Sequence, residues 1–192
     1  YRAVEFDVML AADGVPVVIH DETLERTTRG SGRVPDFTAT QLQALDAGAP
    51  FHRAFAGEAL PSFAQVMQLC IALGLQANVE IKPAVGNEAE TGKVVARMVN
   101  AQWPAGLPVL LSSFDETALA AAAAEAPGLP RASLFNEIPA DWAARLKTMG
   151  SVALHCHHGQ IDTPHGRDVL AAGVPVAVYT VNSQELAGHC WQ

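Results

Sequence analysis

Glu5 and Asp7 stand two residues apart inside an otherwise apolar run, AVEFDVML (3–10). Successive side chains of a strand point to opposite faces, so the two carboxylates share one face while Val4, Phe6 and Val8 share the other. Two acids side by side on an apolar strand repel each other and lose solvation, and a bound cation relieves both penalties. The alternative is a half-exposed strand with a wet acidic face. A second apolar run, 15–20, ends in His20, where a strand delivers a side chain into a site; His20 alone would more often be a surface histidine. A further strand-like run, LQANVEIK (75–82), carries Glu80 and Lys82 on one face by the same period of two. Lys82 is read as a point charge for an anionic substrate, or else as the ion-pair partner of Glu80. The group His155, His157 and His158 suggests a soft-metal site, since His155 and His157 share a face. The favoured reading is plainer, with one histidine lining a strand end and the others in a loop.

Those residues need elements that hold them together. The chain has 192 residues, enough for one domain with a real core. Its 49% hydrophobic and 17% charged content exclude disorder and suit buried strands. A net charge of -8 argues against nucleic acid as a partner and gives no general steering of anions. Cys70, Cys156 and Cys190 are odd in number and fit no metal or disulfide spacing, which makes a reducing compartment the default. No signal peptide, lipidation motif or run of 18 apolar residues is visible, so no integral membrane segment is expected.

Asp13-Gly14 marks a turn between the first two strands, 3–10 and 15–20. Residues 21–35 form a polar loop, either solvated filler or a substrate-facing flap. Thr38 caps a short helix, with Gln41 as its capping-box partner, ending at Gly48. Ser62 opens a stronger helix whose apolar stripe is Phe63, Val66, Met67, Cys70, Ile71 and Leu73, stopped by Gly74. From 75 onward strand and helix alternate: strands at 75–82, 109–114, 132–135, 152–158 and 176–182, helices at 88–101, 116–126, 139–148 and 162–172. A last helix starts at Ser183 and runs to Gln192. Near-continuous apolar strands with polar residues only at their C-terminal ends predict a parallel sheet covered by helices. A (β/α) barrel and a doubly wound sheet both place such ends at one site. The absence of a Gly-rich phosphate loop favours the barrel. Phe114 and Tyr179 are assigned to packing.

The ExD pair, the run DGVPVVIHDETLERTTRGSG (13–32), FTATQLQALDAG, PSFAQVMQL, NVEIK and YTVN occur in an order that resembles the glycerophosphodiester phosphodiesterases, particularly the short bacterial cytoplasmic type. The resemblance covers essentially the whole chain. It implies an α/β, TIM-type (β/α)8 barrel as a single domain, 1–192, with a small insertion after the second barrel strand at about 10–58. It implies that Glu5, Asp7 and Glu80 ligate a divalent cation, Mg²⁺ or Ca²⁺, that His20 is a catalytic acid/base, and that Lys82, His155 and Asn182 face the substrate. The expected reaction is hydrolysis of a small-molecule glycerophosphodiester to sn-glycerol 3-phosphate and an alcohol, in the cytoplasm. Two rivals stay open, a lysophospholipid- or sphingolipid-cleaving relative and an inert phosphate-binding fragment, as does a homo-oligomer. The family's first strand, ahead of the ExD strand, carries an His-Arg pair, and its last a Gly-Val-Asp and a Thr-Asp; no such pair stands ahead of Glu5 here, and neither of the other two motifs occurs. The expectation is therefore a chain trimmed at both ends, without the first of two catalytic histidines and unable to turn over alone.

Overall fold

The computed structural model describes residues 1–191; the expected extension of the last helix to Gln192 lies outside them. Seven strands, β1 (Ala3–Leu10), β2 (Pro16–Val18), β3 (Gln76–Ile81), β4 (Val109–Ser113), β5 (Arg131–Phe135), β6 (Ala153–His157) and β7 (Val176–Tyr179), form one sheet in the order β2-β1-β3-β4-β5-β6-β7. Only the β1–β2 pair is antiparallel. The helices are α1 (Ala39–Gln43), α2 (Phe63–Leu73), α3 (Glu88–Gln102), α4 (Glu116–Glu125), α5 (Trp142–Met149), α6 (Pro164–Ala171) and α7 (Gln184–Cys190).

The strand order separates the two architectures that the sequence pattern left open. A doubly wound sheet reverses its strand order at a switch point. Here the parallel strands follow one another without reversal, and right-handed crossovers then carry their helices to the same side. The result is six successive strands of a (β/α) barrel, with no β7–β1 ladder among the described residues, so the sheet stays open. Toward the helices, Val8, Val79, Ile81 and Leu111 pack with Phe63 and Met67 of α2, Val95 and Val99 of α3 and Ala118 of α4. Burying such side chains stabilises by about 1.5–3 kcal/mol each. The register pairs Asp7 with Glu80 and Glu80 with Ser112, placing these polar residues together on the other, barrel-lumen face.

Local signals account for the element ends. Thr38 and Ser62 each close a capping box, with Gln41 and Gln65. Gly74 ends α2 in the left-handed conformation, φ 64°. Several elements are shorter than the sequence pattern predicts. Helix α1 stops at Gln43 instead of Gly48, because Ala47 N–H donates to Glu58 O and the Asp46 carboxylate accepts from Gly48 and Ala49 N–H. Strand β2 ends at Val18, where Val18 N–H turns to Pro61 O, although Ile19 N–H still donates to Asp7 O of β1. Strand β7 ends at Tyr179, ahead of the expected 182. Leu73 is exposed, so the buried stripe of α2 is Phe63, Met67 and Cys70. Between β1 and α2 the chain builds its own apolar cluster from Met9, Val17, Leu24, Val34, Leu42 and Leu60.

Candidate active site

Strands β1 and β3 run parallel with Asp7 opposite Glu80, and the period of two puts Glu5 on the same face. Each of the three acids offers an oxygen, and these oxygens all lie within 4.8 Å of one another; among the described residues this is the group of His, Cys, Asp and Glu side chains suited to a metal ion. Lys82 Nζ donates to Asp7 Oδ1 at 3.2 Å. Of the two roles read for Lys82, the ion pair therefore forms with Asp7 rather than with Glu80. One ammonium faces three carboxylates, and their protonation reflects the shortfall. Burial, then the charge of Asp7, pushes the Glu80 carboxyl up to about 7 against the pull of Lys82. Burial and Asp7 raise Glu5 in the same way. Glu80 Oε1 is buried without a hydrogen-bond partner among the described residues.

His20, just past β2, is exposed and lines a depression of about 340 Å³ together with Glu5, Asp7 and Thr27. Its Nδ1 lies 2.6 Å from Asp21 Oδ1, and Arg26 grips Asp21 through Nε (2.5 Å to Oδ2) and Nη2 (2.6 Å to Oδ1). The paired Arg26 guanidinium holds the Asp21 carboxyl well below the usual range. Reasoning from sequence missed Asp21 and Arg26 as parts of the site; their signal was an acid directly after His20 and an arginine five residues further on.

The remaining candidates spread around the strand ends. Ser113 Oγ donates to Ile81 O at 2.6 Å and accepts from Asp115 N–H, tying β4 to β3. Ser112 Oγ is buried beside Glu80 in the register, without a partner among the described residues. His155 is buried on β6, in register with Leu134 and Ala177, and desolvation pushes its imidazole down to about 4, so it is neutral near pH 7. His157 is exposed and stacks on His158 at 4.1 Å, consistent with the plainer reading of that histidine group. Tyr179 packs edge-on against Phe114 at 5.8 Å and its hydroxyl donates to Phe135 O, so both rings do pack as expected, although Phe114 remains partly exposed. Asn182 lies beyond the end of β7 and is exposed; no contact to the acidic group is recorded among the described residues.

The sequence model of the Glycerophosphoryl diester phosphodiesterase family matches residues 1–190. A glycerophosphodiester phosphodiesterase of Caldanaerobacter subterraneus subsp. tengcongensis is 33% identical over 187 residues, covering 95% of this chain and 74% of that protein. The structure of an Oleispira antarctica phosphodiesterase in complex with the product sn-glycerol-3-phosphate matches with a TM-score of 0.94 and 35% identity, over 99% of this chain and 77% of that one. A glycerophosphodiester phosphodiesterase from Agrobacterium tumefaciens, at 24% identity and a TM-score of 0.76 over 98% of this chain and 78% of that one, shares the fold. The open sheet is thus the greater part of a TIM-type barrel. With a match that runs from the first carboxylate strand to the last helix, the chain belongs to the glycerophosphoryl diester phosphodiesterase family.

Proposed function

We propose that this chain carries the site of metal-dependent hydrolysis of glycerophosphodiesters to sn-glycerol 3-phosphate and an alcohol. The observation that carries the reading is the convergence of Glu5, Asp7 and Glu80 beside an exposed imidazole. The donor set fits a hard divalent cation, Mg²⁺ or Ca²⁺: three carboxylates, one of them buried with an unpartnered oxygen. When bound, such a cation neutralises phosphate oxygens and the charge that develops on them in the transition state. Lys82, 3.2 Å from Asp7, adds a positive charge at the edge of the cluster, placed to meet a phosphate oxygen. His20 moves the proton at Nε2, taking it from the attacking water or giving it to the leaving alcohol oxygen as the new P–O bond forms and the ester P–O bond breaks. The complementary proton role falls, by resemblance, to the histidine of the His-Arg pair that the family carries on its first barrel strand. His155, neutral and buried, and Asn182, exposed past β7, are proposed to border the glycerol moiety. Three free thiols suit a reducing location, and the cytoplasm is the proposed one.

The test is release of glycerol 3-phosphate from glycerophosphocholine with Mg²⁺ or Ca²⁺, by the 192-residue chain and by a longer chain that includes the His-Arg segment. Activity is expected in the longer chain, lost on chelation and in His20→Ala and Glu80→Gln. A longer chain that binds the cation but releases no product sinks the reading and leaves a phosphate-binding barrel. A second reading, a lysophospholipid substrate, is favoured by one feature: Glu80 and Lys82 also line a depression walled by Pro83, Val85 and Phe114, of which Val85 and Phe114 are exposed. A higher kcat/KM for lysophosphatidylcholine than for glycerophosphocholine selects it.

A further inference from the structure

An exposed imidazole at the end of a three-residue strand has little to hold it. His20 sits in that place, yet its ring is fixed from behind. Asp21 Oδ1 lies 2.6 Å from Nδ1, a distance at which two acceptors would repel, so a proton sits between them. Arg26 takes both oxygens of the same carboxylate in a two-pronged pair, and a guanidinium does not lose its charge. Asp21 thereby stays ionised and stays an acceptor. A permanently ionised acceptor at Nδ1 selects the Nδ1–H tautomer and leaves the Nε2 lone pair free. Arg26 Nη2 also lies 3.3 Å from Nδ1, but a protonated Nδ1 has no lone pair to accept from it; the two are donors that share one acceptor, Asp21 Oδ1.

Asp21 and Arg26 stand outside the lining of the depression that His20 enters, so their direct contact with it runs through the imidazole, while the Arg26 charge is also felt by Asp7. Arg26 is itself well placed. The loop that bears it is tied by Leu24 N–H to Gly32 O, by a bridge between Thr23 and Arg33, by Gly32 N–H to Glu25 Oε1 and by the Arg33–Glu22 ion pair, and Leu24 is buried beneath it. Of the two readings the sequence left for residues 21–35, solvated filler or a substrate-facing flap, Thr27 in the lining of the depression favours the second, on an arm that is braced. We infer that Arg26 is a positioning residue: it locks the Asp21 carboxylate, and Asp21 in turn holds His20 by Nδ1–H, leaving the Nε2 lone pair free on a ring that lines the same depression as Glu5 and Asp7. The inference rests on the phosphodiesterase reading only for its kinetic consequence.

The tautomer supplies a readout independent of turnover. Long-range ¹H–¹⁵N correlation of histidine-labelled protein above the imidazole titration, with His20→Gln to assign the signal, is expected to find His20 as Nδ1–H. Arg26→Gln is expected to shift it toward Nε2–H and Asp21→Asn to do so more fully. Arg26→Lys, a point charge without a fork, is expected to restore part of the Nδ1–H population. In the longer, active chain Arg26→Gln is expected to lower kcat by roughly 10–100-fold with KM little changed, and Arg26→Lys to recover part of it. A His20 tautomer in Arg26→Gln identical to that of the unsubstituted protein overturns the inference whatever the activity. A shifted tautomer in a longer chain that hydrolyses nothing supports it while sinking the phosphodiesterase reading. Should Arg26→Gln melt, Arg26→Lys alone decides: an Nδ1–H fraction below that of the unsubstituted protein supports the clamp, and an unchanged one overturns it.

Discussion

His155 shows how one buried ring sets the acid limb of stability. The imidazole titrates near its ordinary value of 6.5 when unfolded, and desolvation pushes it down to about 4 in the fold. Between those values the unfolded chain binds more protons, so its contribution is fully present above about 6.5 and is lost as pH falls toward 4. One proton corresponds to about 1.4 kcal/mol per pH unit, so the loss across the window is roughly 3 kcal/mol. Urea unfolding at pH 7 and pH 4.5 is expected to show this drop in the unsubstituted chain and a much smaller one in His155→Leu. Equal drops in both would place the acid sensitivity elsewhere. At this scale the acidic cluster was legible because strand periodicity alone aligns Glu5 with Asp7 and Glu80 with Lys82. Which acid Lys82 meets was not, since that depends on the β1–β3 register, a matter of partner strands and not of local pattern. The clamp on His20 was invisible for a similar reason: loop composition does not say which charges meet.

Helices α3 and α4 pack against each other behind the strands that carry the site, and a glycine inside α3 decides how closely. A Cβ at Gly92 would lie 2.0 Å from Ala118 O and 2.8 Å from its carbonyl carbon, backbone atoms that cannot rotate away. Alanine elsewhere in a helix interior stabilises by about 1 kcal/mol relative to glycine. Here overpacking, typically 1–3 kcal/mol, opposes that gain. Gly92→Ala is therefore expected to lower the urea midpoint, while Gly188→Ala in α7, where nothing among the described residues lies within 4 Å of the added Cβ, is expected to leave it unchanged or raise it. A stabilised Gly92→Ala would mean that the two helices can part without cost. Ser62 is the second test of an element. Its hydroxyl accepts from Gln65 N–H, and Ser62→Ala is expected to cost about 1 kcal/mol by urea unfolding, because α2 loses its cap. Helix positions and caps were legible from apolar period and from Ser, Thr and Gly at the ends. The early stop of α1 was not, because Glu58 and the Asp46 side chain, partners supplied by the fold, take its backbone groups.

Over the whole molecule, the alternation of strands and helices predicted a parallel sheet, and the monotonic strand order then made it a barrel. That order is a long-range property no local pattern carries; the resemblance carried by the HDETLERTTRGSG run supplied it in advance. The same architecture concentrates charge: the net charge is -8, and three acids meet at one end of two adjacent strands. Two effects of added Mg²⁺ or Ca²⁺ must then be separated. Any salt screens the overall self-repulsion, whereas a cation at the cluster stabilises by binding the folded form alone. At a concentration 100 times its dissociation constant, binding contributes about 2.7 kcal/mol. For a chain of this size that is roughly 5–10 °C in Tm. The rise is expected with Mg²⁺ or Ca²⁺ beyond that given by KCl of equal ionic strength, and is expected to vanish in Glu80→Gln. That variant also removes a buried charge with an unpartnered oxygen, so its cation-free Tm is expected to equal or exceed that of the unsubstituted chain. An equal rise with KCl would assign the stabilisation to screening and leave the cluster without a cation.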